Sequence, residues 1–487
     1  MAAEELNLHS AYRPRDPKKT DHYQIIHKNY QKTLHQKLLA GVELPLHIKG
    51  EFDKFMTCGI HAFGFARFNC GLCQKDKLVA YSCKRRTICP SCSGRRMADT
   101  AKHLVENVIP SVPTRQWVLS LPYKHRFLLS THPKILSRVI GIYHRAISTF
   151  YKKQAKLSGL VNPQAGAVSV IQRFGGALNL NVHFHSIFMD GVYFENKNGV
   201  SEFYEIIPDD EDIKRLVQSI ETRINRSLIK AGLLYDEFEE LGVEGLNEPD
   251  QISLIKSQSI QNRDELFQRP VAIGKREGSK FVEYKSRRCA TFQGFSLHAN
   301  VKILSNQRSS LERLCRYISR GPISSQRVSL ANNGNVILRL KTPYADGTSH
   351  FIFTPEQYIK RLIGLIPAPR QNMIRYYGVF GARHRNRKEI VARVPKGKSE
   401  KKKVKVYRTP WADLLRRVFE YEVSYCEYCG GKLKHIASIT SYKAIDKILN
   451  HVNISTQRIN PISPRPPPEN LFSNQYIEDD FNQELHW

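Results

Sequence analysis

Two imidazoles stand either side of one phenylalanine in the run NVHFHSIFMDG, Asn181 to Gly191. A β-strand alternates its side chains with period two. His183 and His185 would therefore share a face, their Cα atoms roughly 6.6–7 Å apart, close enough for both rings to reach one metal ion. Alone the pattern is weak, because 18 histidines among 487 residues give about 0.7 such triplets by chance. Its surroundings add weight: Val182, Phe184, Ile187 and Phe188 read as core positions of a strand, and the strand-like run before it ends in Gln172, a candidate third ligand. Two imidazoles with a hard donor suit Mg²⁺ or Mn²⁺ in a phosphoryl-transfer site.

Such a site needs a nucleophile, and LERLCRYISRGP offers Tyr317. Leu311, Leu314, Cys315 and Ile318 form the apolar stripe of a short helix, and Tyr317 lies about 110° away from it at 100° per residue. Its neighbours one turn away are Arg313 and Arg320. A free phenol ionises near pH 10. Flanking guanidinium groups would favour the phenolate, and Arg313, Arg316 and Arg320 are candidates to hold phosphate charge. The competing reading is an ordinary structural tyrosine, one of 22.

The ten cysteines carry a second chemistry. Cys70-x2-Cys73, fifteen residues, then Cys89-x2-Cys92 fits a four-thiolate Zn²⁺ site. Cys58 and Cys83, with His61, are candidates for a second site or for exchange into the first. Cys426 and Cys429 make half a site, with His435 and His451 as candidate partners, or else an inert thiol pair. Arg85, Arg86, Arg95 and Arg96 would give the cysteine-rich module a phosphate-facing surface.

Lys and Arg number 75 against 45 Asp and Glu, a net charge of +30 spread along most of the chain. That excess points to a polyanionic partner, since neutralising phosphates releases condensed counterions. No run approaches the ~18 apolar residues of a membrane span, and the start has no hydrophobic signal segment. The expectation is a cytoplasmic, DNA-associated protein with no membrane partner. No GxxxxGK[ST] phosphate loop is present.

These groups need elements to position them. Residues 1–50 read as a polar arm and a helix, and 51–112 as a zinc-binding module ending in the helical stripe Ala101, Leu104, Val105, Val108, Ile109. From 113 to 380 the order of strand, helix, strand, turn, strand predicts an α+β domain around a largely antiparallel sheet. Residues of about 205–285, acidic in parts, read as an insertion. NVILRLKTP and SHFIFTP predict a hairpin, and Thr354, Pro355 and Gln357 a capped helix start. From 381 to 455 a basic segment leads into a small cysteine-pair module, and 456–487 is a proline-rich tail expected to be disordered. Arg383 to Arg408 holds 12 Lys or Arg, including Lys401, Lys402 and Lys403, and only two Glu.

In order along the chain, CGIHAFGFARFNCGLC, SCKRRTICPSCSGRRMADTA, RQWVLSLPYKHR, QRFGGALNLNVHFHSIFMDGVY, GFSLHANV, LERLCRYISRGPIS, LIPAPRQNMIRYYGVFGARH and CEYCGGKLKHIASI resemble the bacterial rolling-circle transposases of the IS-ninety-one type. The resemblance covers about residues 50–455 and includes the single-tyrosine branch. It implies an amino-terminal zinc module and an HUH endonuclease domain, named for its His-hydrophobic-His pair. There the histidines, His183 and His185 in this chain, hold a divalent metal that polarises a phosphate of single-stranded or hairpin DNA at the element ends. Tyr317 would attack, giving a 5′-phosphotyrosine and a free 3′-OH. Two-tyrosine members carry their pair four residues apart on one helix, where this chain has Arg313. A single-tyrosine cycle, with a homodimer able to supply a second tyrosine, is implied instead. Gly321 also stands where an arginine is expected before Pro322. Exposed bases would stack on aromatics such as Tyr376 and Tyr377, for which a core role is the equal alternative. The rival functions are a plasmid replication initiator or relaxase of the same chemistry, and a non-catalytic zinc-containing regulator that binds nucleic acid.

Overall fold

The computed structural model describes residues 16–39, 44–234, 251–261, 283–344, 347–391 and 423–458. Lys401, Lys402 and Lys403, most of the basic segment, the amino-terminal arm up to residue 15 and the proline-rich tail beyond 458 lie outside the described residues. So does much of the expected insertion.

Helices α1 (Asp21–Leu39) and α2 (Leu46–Met56) lead into the hairpin β1 (Phe65–Cys70) and β2 (Asp76–Ala80), then α3 (Pro90–Asn107). Pro90 fills the first turn of α3, where its missing N–H costs nothing. The helix therefore starts inside the second cysteine knuckle, before its apolar stripe begins. Next come β3 (Thr114–Ser120), α4 (Tyr123–Thr131), α5 (Pro133–Leu157) and the pair β4 (Gly166–Phe174) and β5 (Leu180–Met189). The hairpin β6 (Gly191–Glu195) and β7 (Ser201–Glu205) precedes α6 (Asp210–Ile229) and α7 (Gln251–Gln261). Strands β8 (Glu283–Ser286), β9 (Cys289–Phe292), β10 (Phe295–His298) and β11 (Lys302–Ile303) lead to α8 (Arg308–Ser319). A three-stranded sheet of β12 (Val328–Leu330), β13 (Val336–Arg339) and β14 (His350–Phe353) is followed by α9 (Pro355–Leu365), β15 (Ile374–Gly378) and the short α10 (Arg387–Ile390). The carboxy-terminal piece adds β16 (Leu433–Ile439) and α11 (Tyr442–His451).

The main sheet runs β15-β4-β5-β3-β10-β9-β8, antiparallel throughout, with β11 also on β3. Period-two alternation sorts β5 between two cores. Val182, Phe184 and Phe188 join the core that holds the α5 residues Tyr143, Ile147 and Tyr151. Ile187 and Met189 join the other, with Leu104 of α3 and Leu311, Cys315 and Ile318 of α8. His183 and His185 are on this second face. At the end of β5, Asp190 takes a two-pronged ion pair from Arg115 of β3, its oxygens 2.7 and 2.6 Å from Nε and Nη2. Tyr151 also donates to Asp190 at 2.9 Å. Both charges are buried, and Arg115 Nη1 also donates to the Ala299 carbonyl at 2.8 Å, so further hydrogen bonds offset part of the desolvation cost.

The expected α+β class, the β13–β14 hairpin and the Thr354–Gln357 capping box are all present. The region read as an insertion differs: α6 buries Ile213, Leu216, Val217, Ile220, Ile224 and Leu228 in the main core. Its acidic first turn, Asp210, Glu211 and Asp212, caps the helix and masks that stripe in the sequence. The modules also do not follow chain order in space. Strand β16 pairs with β1 and completes the sheet β16-β1-β2. Among the described residues no helix is long and apolar enough to cross a membrane.

Candidate functional site

The two histidine rings converge. Nε2 of His183 lies 3.1 Å from Nε2 of His185. His183 Nδ1 is 2.9 Å from the carbonyl oxygen of Asn181, which only accepts, so Nδ1 carries the proton and Nε2 presents its lone pair. Burial, with the nearby Arg126 and Arg320 cations, holds His183 at about 4. Burial, then His183 and Arg320, hold His185 at about 3. Both rings are therefore neutral at pH 7, as a metal ligand must be.

Tyr317 stands against this pair. Its ring centroid is 5.8 Å from that of His185, the planes at 87°. Leu311, Cys315 and Ile318 are buried, while Tyr317 keeps 40% of its surface, enough for a strand to reach it. Two cations sit over its ring, the Arg320 guanidinium carbon at 4.7 Å and Lys341 Nζ at 5.4 Å. Of the three arginines expected here, Arg320 is brought in. Arg313 is exposed and bonds Ser310 Oγ, and Arg316 pairs with Glu312 one turn back. Lys341 carried no signal in the sequence, since it arrives from the far end of β13.

Two glutamine side chains flank the histidines. Gln172, opposite His183 in the β4–β5 ladder, donates its amide to the carbonyls of Ile318 (2.7 Å) and Tyr317 (3.3 Å). Its nitrogen thus braces the end of α8, the helix that carries the tyrosine. Gln116 of β3 is the neighbour of His185, its amide nitrogen 2.9 Å from Nδ1. Sequence reasoning missed it. The donor set fits a small hard cation, because adjacent ligands of an octahedral ion with bonds of about 2.1 Å lie about 3.0 Å apart, close to the separation of the two Nε2 atoms. The Gln172 amide brings the candidate oxygen of a third ligand, while Gln116 stands at the far nitrogen of His185.

The cysteines form two quartets, grouped otherwise than their spacing predicts. Cys58, Cys83, Cys89 and Cys92 converge in one, and Cys70, Cys73, Cys426 and Cys429 in the other. The expected Cys70/Cys73/Cys89/Cys92 set is thus divided, and each knuckle takes its partners from elsewhere in the chain. In the first quartet Sγ–Sγ separations are 3.5–3.7 Å. In the second they are 3.4 and 3.5 Å. A tetrahedral ion with Zn–S bonds of 2.3 Å separates its sulfurs by about 3.8 Å, whereas a disulfide needs ~2.05 Å. All ten thiols are free. His61 is not a member of the first quartet, with Nε2 3.4 Å from the Leu78 carbonyl. His435 and His451 are not members of the second, and His435 packs edge-on against Phe68.

The arginines of the zinc module are tied to it locally. Arg85 reaches Glu51, Arg95 bonds Ser82 Oγ, Arg96 bonds the Lys84 carbonyl, and Arg86 gives its own carbonyl to Ser93. Tyr377 stacks on His144 at 3.9 Å and Tyr376 packs against the second core, so the core role holds for both.

Residues 25–121 match the family model of a transposase zinc-binding domain, and residues 166–388 match a transposase family model. Searches of curated proteins and of solved structures gave no match. A zinc domain placed ahead of a transposase domain, on an α+β scaffold with antiparallel sheets, defines a DNA-acting enzyme whose zinc is structural. The chain belongs to the transposases of the IS91 type.

Proposed function

We propose that this transposase is an HUH endonuclease that cleaves and rejoins single-stranded DNA at the ends of its element by a rolling-circle route. The observation that carries the reading is the meeting of His183, His185 and Tyr317 in one pocket, from a strand and a helix far apart in the chain. His183 and His185, with the amide oxygen of Gln172, would hold Mg²⁺ or Mn²⁺, which supplies Lewis-acid polarisation of the scissile phosphate.

The side chains do the rest. Tyr317 Oη attacks phosphorus, its bond to the DNA 3′ oxygen breaks, and a 5′-phosphotyrosine and a free 3′-OH result. Attack by a 3′-OH on the same bond rejoins a strand and frees Tyr317. The phosphodiester's energy is kept in the covalent bond, so no nucleotide is consumed. Arg320 and Lys341 offset the charge that builds up on the phosphate and phenolate oxygens. Gln172 fixes the turn of α8 that aims the phenol. With Arg313 exposed one turn before Tyr317, each chain brings one nucleophile, and a second copy supplies another where two transfers are needed.

The test is an adduct assay, in which end-labelled single strands and hairpins from element ends are incubated with protein and Mg²⁺ or Mn²⁺. A denaturation-resistant protein–DNA species should form, and Tyr317→Phe should reduce it at least a thousandfold. An undiminished adduct in that variant would overturn the assignment.

A further inference from the structure

We propose that Cys70, Cys73, Cys426 and Cys429 hold a second Zn²⁺ ion, an exchangeable clasp that fastens the carboxy-terminal module to the amino-terminal zinc module. The family's zinc domain ends at residue 121, so the matched segment contains only two of these four ligands. The other two come from 353 and 359 positions further along the chain.

The site is built from two knuckles of the same design. Gln74, just after Cys73, has φ 58°, and its N–H donates to the Cys70 carbonyl at 2.9 Å. Gly430, just after Cys429, has φ 70°, and its N–H donates to the Cys426 carbonyl at 2.9 Å. In both, the first cysteine's N–H returns to the carbonyl five residues on, Lys75 in one and Gly431 in the other. Matching turns that turn four sulfurs towards one centre are what a tetrahedral ion requires. Gly431 shows how closely the knuckles meet, since a Cβ there would lie 2.9 Å from Cys70 Sγ. A thiol pair merely buried for packing would need neither the repeated turn nor the bare glycine.

The two ions would differ in access. All four cysteines of the first quartet are buried, whereas in the second Cys429 is exposed and Cys73 half-buried. The second ion is therefore the one a chelator reaches first. Beyond the β1–β16 ladder and the burial of Ile445 and Leu449 of α11 in the main core, the knuckle hairpin itself rests on a small core that unites Val423, Cys426 and Leu433 with Phe68, Val79 and Tyr81, and on the Lys77–Glu427 pair at 3.4 Å, whose carboxylate is exposed. Removing the ion should loosen the β1–β16 pairing, most at the Cys70–Leu433 end beside the knuckles.

Zinc content and backbone hydrogen exchange on the full chain test this without reference to DNA cleavage. Wild type should hold two Zn²⁺ per chain and release one of them much faster to a chromogenic chelator. The double variant Cys426→Ser/Cys429→Ser should hold one, released slowly. Amides of Phe65–Cys70 and Leu433–Ile439 should lose protection in the variant, and in wild type after the fast release, while Leu180–Met189 keeps its own. If the variant does not fold, the wild-type release experiment decides alone. One ion in wild type, two in the variant, a single release rate, or unchanged exchange in β1 and β16 after release would each overturn the proposal.

Discussion

Gln116 has a specific job if His185 is a ligand. The two ends of an amide differ little in shape, so with its oxygen turned in, the side chain accepts from Nδ1–H and leaves Nε2 free for the cation. Partners of this kind set ring orientation and ligand basicity, and losing one typically costs 10–100-fold in metal affinity. Gln116→Leu should weaken Mn²⁺ binding within that range, measured by titration of the zinc-loaded protein, while Tyr317→Phe leaves it unchanged. Equal affinity in Gln116→Leu would remove the residue from the site. Much of this site is legible in the sequence: the two histidines through strand alternation, and Tyr317 through its angle from an apolar stripe. Gln116 is not, because nothing in RQWVLSLP says which strand it will lie beside. Lys341 and the partners of each cysteine knuckle are hidden for the same reason, since spacing gives ligand pairs but not which pairs meet.

Helices α3 and α8 couple the zinc module to Tyr317, the nucleophile proposed above. Leu104 and Val105 of α3 share a core with Leu311, Cys315 and Ile318 of α8. At the exit of α8, a Cβ on Gly321 would lie 2.6 Å from Cβ of Ser93, the residue after Cys92 of the first cysteine quartet. The arginine expected there from the family resemblance would not fit; glycine lets the chain close directly on the module. Gly321→Val should therefore push the end of α8 off its seat. A displacement of 1 Å at a reacting group can cost about 100-fold, so the adduct rate should fall at least tenfold with zinc content unchanged. Ser93→Gly in the same chain removes the opposing carbon and should restore part of the loss. Failure of that rescue would mean that the contact does not set the position of the tyrosine. At this scale the sequence shows most helices and strands by their periods. It conceals α6, whose charged cap outweighs its buried face over a short window.

At the scale of the whole molecule, a neutral histidine packed in the core ties stability to pH. His144 lies between Phe188 and Tyr377, ring centroids 5.2 and 3.9 Å away, and burial first, then Arg145 and Lys152, hold it at about 3. Its folded value is below the unfolded one of about 6.5. Above pH 6.5 neither state binds the proton. As pH falls from 6.5 towards 3 only the unfolded chain does, and stability drops by about 1.4 kcal/mol per pH unit. His144→Phe keeps a flat ring and removes that dependence. In urea titrations of zinc-saturated protein, its stability loss between pH 6.5 and 5.5 should be smaller than that of wild type by about 1 kcal/mol, since the unfolded imidazole is only half protonated at the upper limit. Identical losses would show that His144 does not stay neutral in the fold.

Strand β1 has β2 beside it within a few residues, but its other edge must wait for β16. A ribosome adding 5–20 residues per second needs roughly 20–70 s to travel from Cys70 to Cys426. Throughout that interval a nascent chain carries an open strand edge, and its main sheet can assemble before β1 and β16 meet. Translation to the far end of the described chain is thus the event that seals the molecule, and a prematurely stopped transposase would carry its histidines and tyrosine with that edge still bare.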